Sequence, residues 1–144
     1  MYHRYGEVRD FAIAGYYVAI APGNRSFLGG GLFASMFKEA TAMVRDYIVA
    51  NGAELEAIIG EKTFSENFCI KGESLKNVPK GYDPDHPQAE YLKNKSWYVE
   101  YPFSDEQIMD KNRFVEQVAL LFRYMKPLSD YLNSALREFV MPSR

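Results

Sequence analysis

The first apolar segment of the chain has the pattern of a β-hairpin. Phe11 to Ala21 is rich in β-branched and aromatic residues on both alternating faces, which predicts a strand covered on both sides or nearly so. The residues PGNRS at 22–26 favour a turn, and Ser26 to Phe33 is predicted to return as a second strand.

Three consecutive glycines, Gly29, Gly30 and Gly31, interrupt that second strand. Glycine weakens a strand, so the run indicates a bulge or the close approach of an aromatic ring or a ligand. A phosphate-binding loop is disfavoured because the lysine-serine/threonine ending of a P-loop and the spacing of a dinucleotide fingerprint are both missing. Packing against Tyr16 or Tyr17 is the preferred interpretation.

Apolar residues recur at helical spacing from Ser35 to Ala50, which predicts a helix over these residues. Ser35 can cap its start, and Asn51-Gly52 can end it in a left-handed turn. A second, short helix is predicted at Glu54 to Ile59, closed by Gly60. The apolar positions of the longer helix share one face: Met36, Phe37, Ala40, Val44, Tyr47 and Ile48.

Residues 63–71 are predicted to form a short helix at Ser65 and a brief strand near Cys69, with irregular structure as the alternative, and 97–103 is predicted to be a half-exposed strand. Pro102 places the end of that last strand at an edge or rim. Ser104 and Gln107 have the spacing of a capping box, which predicts a helical turn from Asp105.

The C-terminal part predicts a pair of helices. Asn112 to Met125 has one apolar face, and Pro127 is expected to separate it from a further helix, Leu128 to Phe139. The fold class is therefore α+β, with a small, mostly antiparallel sheet packed by helices. Residues 1–144 are expected to form a single domain.

Composition excludes several classes of protein. Hydrophobic residues make up 47% of the chain, which excludes a disordered protein, and a net charge of -2 gives no general attraction to nucleic acid or anionic membrane. Cys69 is the only cysteine, so an intrachain disulfide and a zinc-cysteine cluster are excluded, and in its apolar run it is expected to be buried. The N-terminus lacks the apolar core of a signal peptide, and no apolar run is long enough to span a bilayer as a helix, so a cytoplasmic location is expected.

The sequence LKNVPKGYDPDHPQAEYLKNKS at 75–96, here called the polar loop, contains three prolines and cannot be a continuous helix or a central strand. His86 is a plausible N-cap, with Pro87 opening a helix through Lys93. Asp83 and Asp85 would lie at the positive end of that helix, with Lys93 and Lys95 near its negative end. Capping and turn formation are a complete structural explanation of these residues, and the preferred one.

The same loop supports a first functional hypothesis, in which the protein binds a ligand or partner without catalysing a reaction. Contacts would come from side chains of the polar loop, and no metal or cofactor is assigned. The candidate ligand-binding residues are Lys76, Lys80, Tyr82, Lys93 and Lys95.

An alternative is a hydrolase or transferase acting on a phosphate-containing or anionic small molecule. His86 would be the acid or base, Asp83 or Asp85 a metal ligand or orienting group, and Lys80 and Lys93 would hold the anion. Neighbouring residues on a turn seldom supply a full set of metal ligands, so this signal is weak. The hypothesis requires Asp85, His86 and Lys93 to converge on a concave pocket.

A third hypothesis, a single-stranded nucleic-acid module, combines lysines of this region with the rings of Tyr82, Tyr91 and Trp97. Glu73, Asp83, Asp85 and Glu90 nearly balance the positive charge, so nucleic acid is disfavoured. The lysines are Lys71, Lys76, Lys80, Lys93 and Lys95.

The chain resembles the bacterial family called domain of unknown function 2461 over roughly residues 12 to 137. The resemblance rests on AGYYVAIAPGNRSFLGGGLF at 14–33, LKNVPKGYDPDHP at 75–87, LKNKSW at 92–97 and KPLSDYLNSAL at 126–136. The family has no established activity, so no reaction is implied. Members usually carry a preceding helix and a basic segment that MYHRYGEVRD does not match, which suggests a shortened form or the second half of the family's domain. Apolar surface left uncovered by such a loss predicts self-association into a homo-oligomer.

Overall fold

The structure is a computed structural model that describes residues 14–139, and these residues form three strands and six helices. In chain order the described elements are β1 (Gly15–Ala19), β2 (Ser26–Leu32), α1 (Lys38–Ala50), α2 (Gly52–Gly60), α3 (Lys62–Asn67), α4 (Ala89–Leu92), β3 (Trp97–Phe103), α5 (Asp105–Met109) and α6 (Lys111–Ala135). The strands form an antiparallel sheet in the order β1-β2-β3. The α+β class and the strand at 97–103 are therefore confirmed.

Helix α6 covers one face of this sheet. Leu28 of β2 pairs with Val18 of β1 and with Tyr101 of β3, so these three side chains lie on the same face of the sheet. Side chains alternate along a strand, so Tyr16 and Val99, two positions away, lie on this face as well. On this face Tyr16 contacts Phe122 of α6 with ring centroids 4.9 Å apart. Side chains from the strands and from α1, α2, α3, α4 and α6 form the buried core, and its most buried members include Leu28, Leu32, Val44, Ile48, Leu55, Phe64, Leu92, Trp97, Val99, Phe103, Met125, Leu128, Tyr131 and Leu132.

Close packing explains the glycine run, and the predicted contact with Tyr16 or Tyr17 is found for two of the three glycines. A Cβ on Gly29 would lie 2.5 Å from the Tyr17 ring, and one on Gly30 would lie 3.1 Å from Tyr16 and 2.9 Å from the sulfur of Met125. Gly31 has φ +127°, and its Cβ would lie 2.4 Å from the Trp97 carbonyl oxygen. The strand register continues through all three glycines, so no bulge is needed.

The hairpin strand β1 is less covered than its composition suggested. Tyr16 is 42% exposed and the other β1 residues are half-buried, because β1 lies at the edge of the sheet. Residues 11–13 of the predicted strand lie outside the described residues. Apolar composition alone did not distinguish an edge strand from a central one.

The start and end of α1 differ from the predicted caps. Phe37 is the N-cap residue, and Ser35 instead donates a hydrogen bond from its hydroxyl to Glu73 at 3.3 Å. Asn51 has φ −128°, so the predicted left-handed turn is wrong. Helix α2 begins directly at Gly52, and the two helices meet at a sharp junction around Asn51.

Residues 62–71 form α3 and a short connection to the sheet. The helix predicted at Ser65 is confirmed, whereas the brief strand is an isolated bridge from Lys71 to Tyr98. Cys69 is exposed, so its predicted burial is wrong. Phe68, the residue before it, is buried and takes the inward position in this extended connection.

Helix α6 is continuous, so the predicted break at Pro127 is wrong. Pro127 lies on the exposed side of the helix, while Met125 and Leu128 beside it are 1% exposed. Burial of these apolar side chains against the core outweighs the backbone hydrogen bond that proline removes. Although α6 has 25 residues, no helix within residues 14–139 is both long and apolar enough to cross a membrane.

Candidate ligand-binding site

The polar loop is held against α1 by side chains of that helix. Arg45 donates hydrogen bonds from Nε to the Leu92 carbonyl and from Nη2 to the Asn94 carbonyl, both at 2.9 Å. The Tyr82 hydroxyl donates to Asp46 at 2.7 Å. Burial lowers the pKa of Arg45, while burial and the hydrogen bond to Asp46 raise the pKa of Tyr82 to about 12. Tyr82, a candidate ligand-binding residue, thus has a structural contact of its own.

His86 uses both ring nitrogens within the protein. Its Nδ1 accepts a hydrogen bond from the Gln88 amide at 3.0 Å, which places the proton on Nε2, 3.3 Å from the Val49 carbonyl oxygen at the end of α1. The predicted N-cap is wrong, because α4 begins at Ala89 with Gln88 as its N-cap. The imidazole instead forms a turn before the helix and contacts the junction of α1 and α2.

The other predicted site residues make local contacts. Asp83 accepts a hydrogen bond from the Asp85 amide at 2.9 Å, and Lys93 forms an ion pair with Glu90 at 3.0 Å. Asp83 and Asp85 are exposed, as are Lys76 and Lys80, whereas Lys93 and Lys95 are half-buried. Within residues 14–139, no group of three or more His, Cys, Asp and Glu side chains could hold a metal ion. The binding and catalytic roles of these residues stay predictions.

The stacking surface of the nucleic-acid hypothesis is incomplete. Trp97 is 1% exposed and donates a hydrogen bond from its indole nitrogen to the Tyr91 carbonyl at 2.9 Å, so its predicted role as a stacking group is wrong. Lys71 lies 3.7 Å from Glu100 in an ion pair, and its charge is therefore balanced. Two of the groups named from the sequence, Trp97 and Lys71, are therefore already in contact with other parts of the protein.

A concave site lies elsewhere, between α2 with α3 on one side and α6 on the other. This α2–α6 cleft has a volume of about 510 Å³, within the range of pockets that hold small organic molecules. Apolar side chains alternate with charged and hydroxyl groups along its walls. Its lining consists of Glu54, Ala57, Ile58, Glu61, Thr63, Phe64, Arg123, Tyr124, Pro127, Asp130, Tyr131 and Ser134.

The floor of the cleft is fixed by its aromatic residues. Phe64 and Tyr131 are 2% and 1% exposed. Tyr131 donates a hydrogen bond from its hydroxyl to the Asn51 carbonyl at 3.0 Å and packs edge-on against Tyr47. Burial, followed by the negative charge of Glu54, raises the pKa of Tyr131, so its hydroxyl keeps its proton. Tyr131 therefore holds α6 in a fixed position against the junction of α1 and α2.

The rim of the cleft carries the charged groups. Glu61 caps α3 by accepting hydrogen bonds from the Phe64 amide and the Thr63 hydroxyl, and the Thr63 hydroxyl is the main reason that the pKa of Glu61 is lowered. Asp130 accepts a hydrogen bond from Lys126 at 2.7 Å. Within the described residues, Glu54 and Arg123 form no ion pair. These two groups are available to a ligand.

A second cavity of about 490 Å³ lies beside the start of α6. Its lining is almost entirely polar, and Ser104 and Gln107 within it form the capping box of α5, which confirms that prediction. A polar cavity that is already used for helix capping is a poorer seat for an organic ligand than one with an apolar floor.

The sequence contained only a partial signal of the α2–α6 cleft. Tyr124, Pro127 and Tyr131 recur at helical spacing on α6, beside the apolar stripe that forms the core. That second stripe was divided by the predicted break at Pro127. The opposing wall belongs to α2 and α3, and their contact with α6 is not encoded in any local pattern.

The comparison with protein families identifies the chain. It belongs to the family described as conserved hypothetical protein (DUF2461), whose model matches residues 2–131. The match begins closer to the N-terminus than the resemblance seen in the sequence, and it ends within α6. Searches of curated proteins and of solved structures found no match.

Proposed function

We propose that this protein binds a small organic molecule in the α2–α6 cleft. The observation that supports the proposal is a cleft of about 510 Å³ in which half-buried Ile58 and Tyr124 lie over the buried rings of Phe64 and Tyr131, beneath a polar rim. Such a floor removes apolar ligand surface from water at about 25 cal/mol per Å², while a few rim groups orient the ligand.

A binding function is favoured over catalysis because the candidate acid or base, His86, is hydrogen-bonded within the protein and lies outside the lining of the cleft. The lining of the cleft contains no histidine or cysteine among the described residues. In the polar loop, His86 would have to break a hydrogen bond before it could act as an acid or base. The hydrolase or transferase alternative therefore has less support than a binding function.

The polar loop contributes to this proposal as a support for one wall of the cleft. The imidazole of His86 lies against the end of α1 and against Gly52, where a Cβ would be 3.2 Å from its Cε1 atom. Tyr131 contacts the same junction through Asn51. His86 is therefore proposed as a positioning residue that fixes the start of α2 and with it the rim residue Glu54.

The test is a pair of tryptophan substitutions on α2. Ala57→Trp fills the cleft, whereas Ala53→Trp changes an exposed residue of the same helix that does not line it. A fragment panel is screened by thermal shift and by NMR chemical-shift mapping, because a ligand that binds the native state raises its apparent stability. Hits whose shifts map to α2, α3 and α6, and which bind Ala53→Trp but not Ala57→Trp, support the proposal. Hits that bind both variants equally, or no hits, contradict it.

A cytoplasmic location is proposed together with this function. Its support is that Cys69, the only cysteine, is an exposed free thiol, as expected of a protein kept in a reducing compartment. Cell fractionation with an antibody against the chain tests it, and recovery with the membrane or secreted fraction contradicts it.

A further inference from the structure

The α2–α6 cleft has an excess of negative charge at its rim. Its lining carboxylates are Glu54, Glu61 and Asp130, and its lining cation is Arg123. Lys126 pairs with Asp130 from outside the lining. Even when Lys126 is counted, three carboxylates face two cations, so the rim attracts positive charge more than negative charge.

The aromatic side chains of the cleft favour the same sign of charge. Phe64, Tyr124 and Tyr131 all line it. The face of an aromatic ring carries the negative part of its quadrupole and attracts ammonium groups, with the strongest effect where water is excluded. Carboxylates above an aromatic floor are the combination that recognises an apolar cation.

Glu54 is the rim carboxylate best placed to meet the charge of a ligand. Glu61 and Asp130 already accept hydrogen bonds from Thr63 and Lys126, whereas no ion pair or hydrogen bond of the Glu54 carboxylate occurs within the described residues. Its charge is close enough to the floor to influence the hydroxyl of Tyr131. A cation lying on the floor would therefore be within the field of Glu54.

We infer that the ligand of the α2–α6 cleft is a small organic cation, an amine or quaternary ammonium with an apolar body. The inference rests on the proposed function, because it requires that the cleft binds a ligand. The apolar body lies against the half-buried side chains of Ile58 and Tyr124, above the buried rings of Phe64 and Tyr131, and the positive group lies toward Glu54. Arg123 lowers the affinity for such a ligand and would raise the affinity for an anion.

The first experiment compares probes that share a shape and differ in charge. Choline is titrated against its uncharged carbon analogue 3,3-dimethyl-1-butanol, and benzylamine against benzyl alcohol and benzoate, by NMR at constant ionic strength. The cations are expected to bind roughly five- to tenfold more tightly than their neutral analogues. Equal affinity, a preference for benzoate, or no binding by the cations at about 10 mM, where millimolar affinity is readily detected, overturns the inference.

Charge substitutions then test which rim groups produce the preference. Glu54→Gln is expected to weaken cation binding by roughly three- to tenfold and Arg123→Gln to strengthen it by a smaller factor, while the neutral probes are unaffected. Glu56→Gln, an exposed residue of α2 outside the lining, is the control for long-range charge. Effects of opposite sign, or the same effect for Glu56→Gln and Glu54→Gln, overturn the inference.

Ala57→Trp separates this inference from the proposed function. If the tryptophan abolishes binding of neutral and charged probes that show no charge preference, the cleft is a ligand site and the cation inference is wrong. If probe binding is insensitive to Ala57→Trp, both are wrong. A cation preference that disappears with Ala57→Trp and is reduced by Glu54→Gln supports both.

Discussion

Replacement of Arg45 by methionine tests whether the polar loop is anchored by the guanidinium of α1. Methionine retains much of the apolar stem but removes the hydrogen bonds to the Leu92 and Asn94 carbonyls, each 2.9 Å long. A hydrogen bond from a charged donor contributes about 1.5–3 kcal/mol, so the gross loss is roughly 3–6 kcal/mol.

Two effects reduce this loss. Arg45 is partly desolvated, as its lowered pKa indicates, and methionine avoids that desolvation cost. The loop carbonyls can also regain water when the guanidinium is removed. We therefore expect the free energy of unfolding to fall by about 2–3 kcal/mol, which corresponds to a decrease in Tm of roughly 6–10 °C for a chain of this size.

Urea denaturation and hydrogen exchange measure the effect in Arg45→Met and in a control variant. Arg137→Met changes an exposed arginine near the end of the described chain and is the matched control. The Leu75 and Lys95 amides, which donate to the Lys93 and Glu73 carbonyls, should lose protection in Arg45→Met alone. If the two variants differ by less than about 0.5 kcal/mol and these amides stay protected, Arg45 does not anchor the loop.

Four further predictions concern stability, pH, positioning and assembly. Gly31→Ala should lower the free energy of unfolding, measured with urea, by more than about 3 kcal/mol, because Gly31 has φ +127° and its Cβ would lie against the Trp97 carbonyl. The control is Gly15→Ala at its strand partner, where a Cβ meets nothing within 4 Å, and similar losses in the two variants would refute the packing argument. Tyr82→Phe should lower the free energy of unfolding by about 1 kcal/mol at neutral pH and should reduce the loss of stability between pH 10 and about 12. The stabilisation from a tyrosine whose pKa is raised on folding is complete below pH 10 and is lost as the pH rises. An unchanged dependence of stability on alkaline pH would contradict this. His86→Ala should weaken ligand binding in the α2–α6 cleft severalfold by displacing Glu54, and the loss should be smaller when Glu54 is already replaced by glutamine. Unaltered affinity, or an equal loss in both backgrounds, would remove its positioning role. Light scattering is expected to show a homo-oligomer, since Phe33 is 50% exposed and packs with Tyr98 and Tyr17 in one aromatic patch, and a monomer at all concentrations would reject self-association.

Several features of the fold could be read from the sequence because they depend on residues that are close together in the chain. Alternation over 97–103 predicted β3, and Ser104 with Gln107 predicted the capping box of α5. The glycine run also predicted close packing by Tyr16 or Tyr17, with a bulge as the alternative, because a glycine inside a strand usually marks one of the two.

Tertiary contacts decided the rest. Pro127 does not break α6, because core burial of its neighbours exceeds the cost of one lost hydrogen bond. The α2–α6 cleft depends on contacts such as that between Tyr131 and Asn51, which are 80 residues apart in the chain. Local periodicity identifies the helices but carries no information about which of their faces meet, so the walls of the candidate site became visible only in the folded structure.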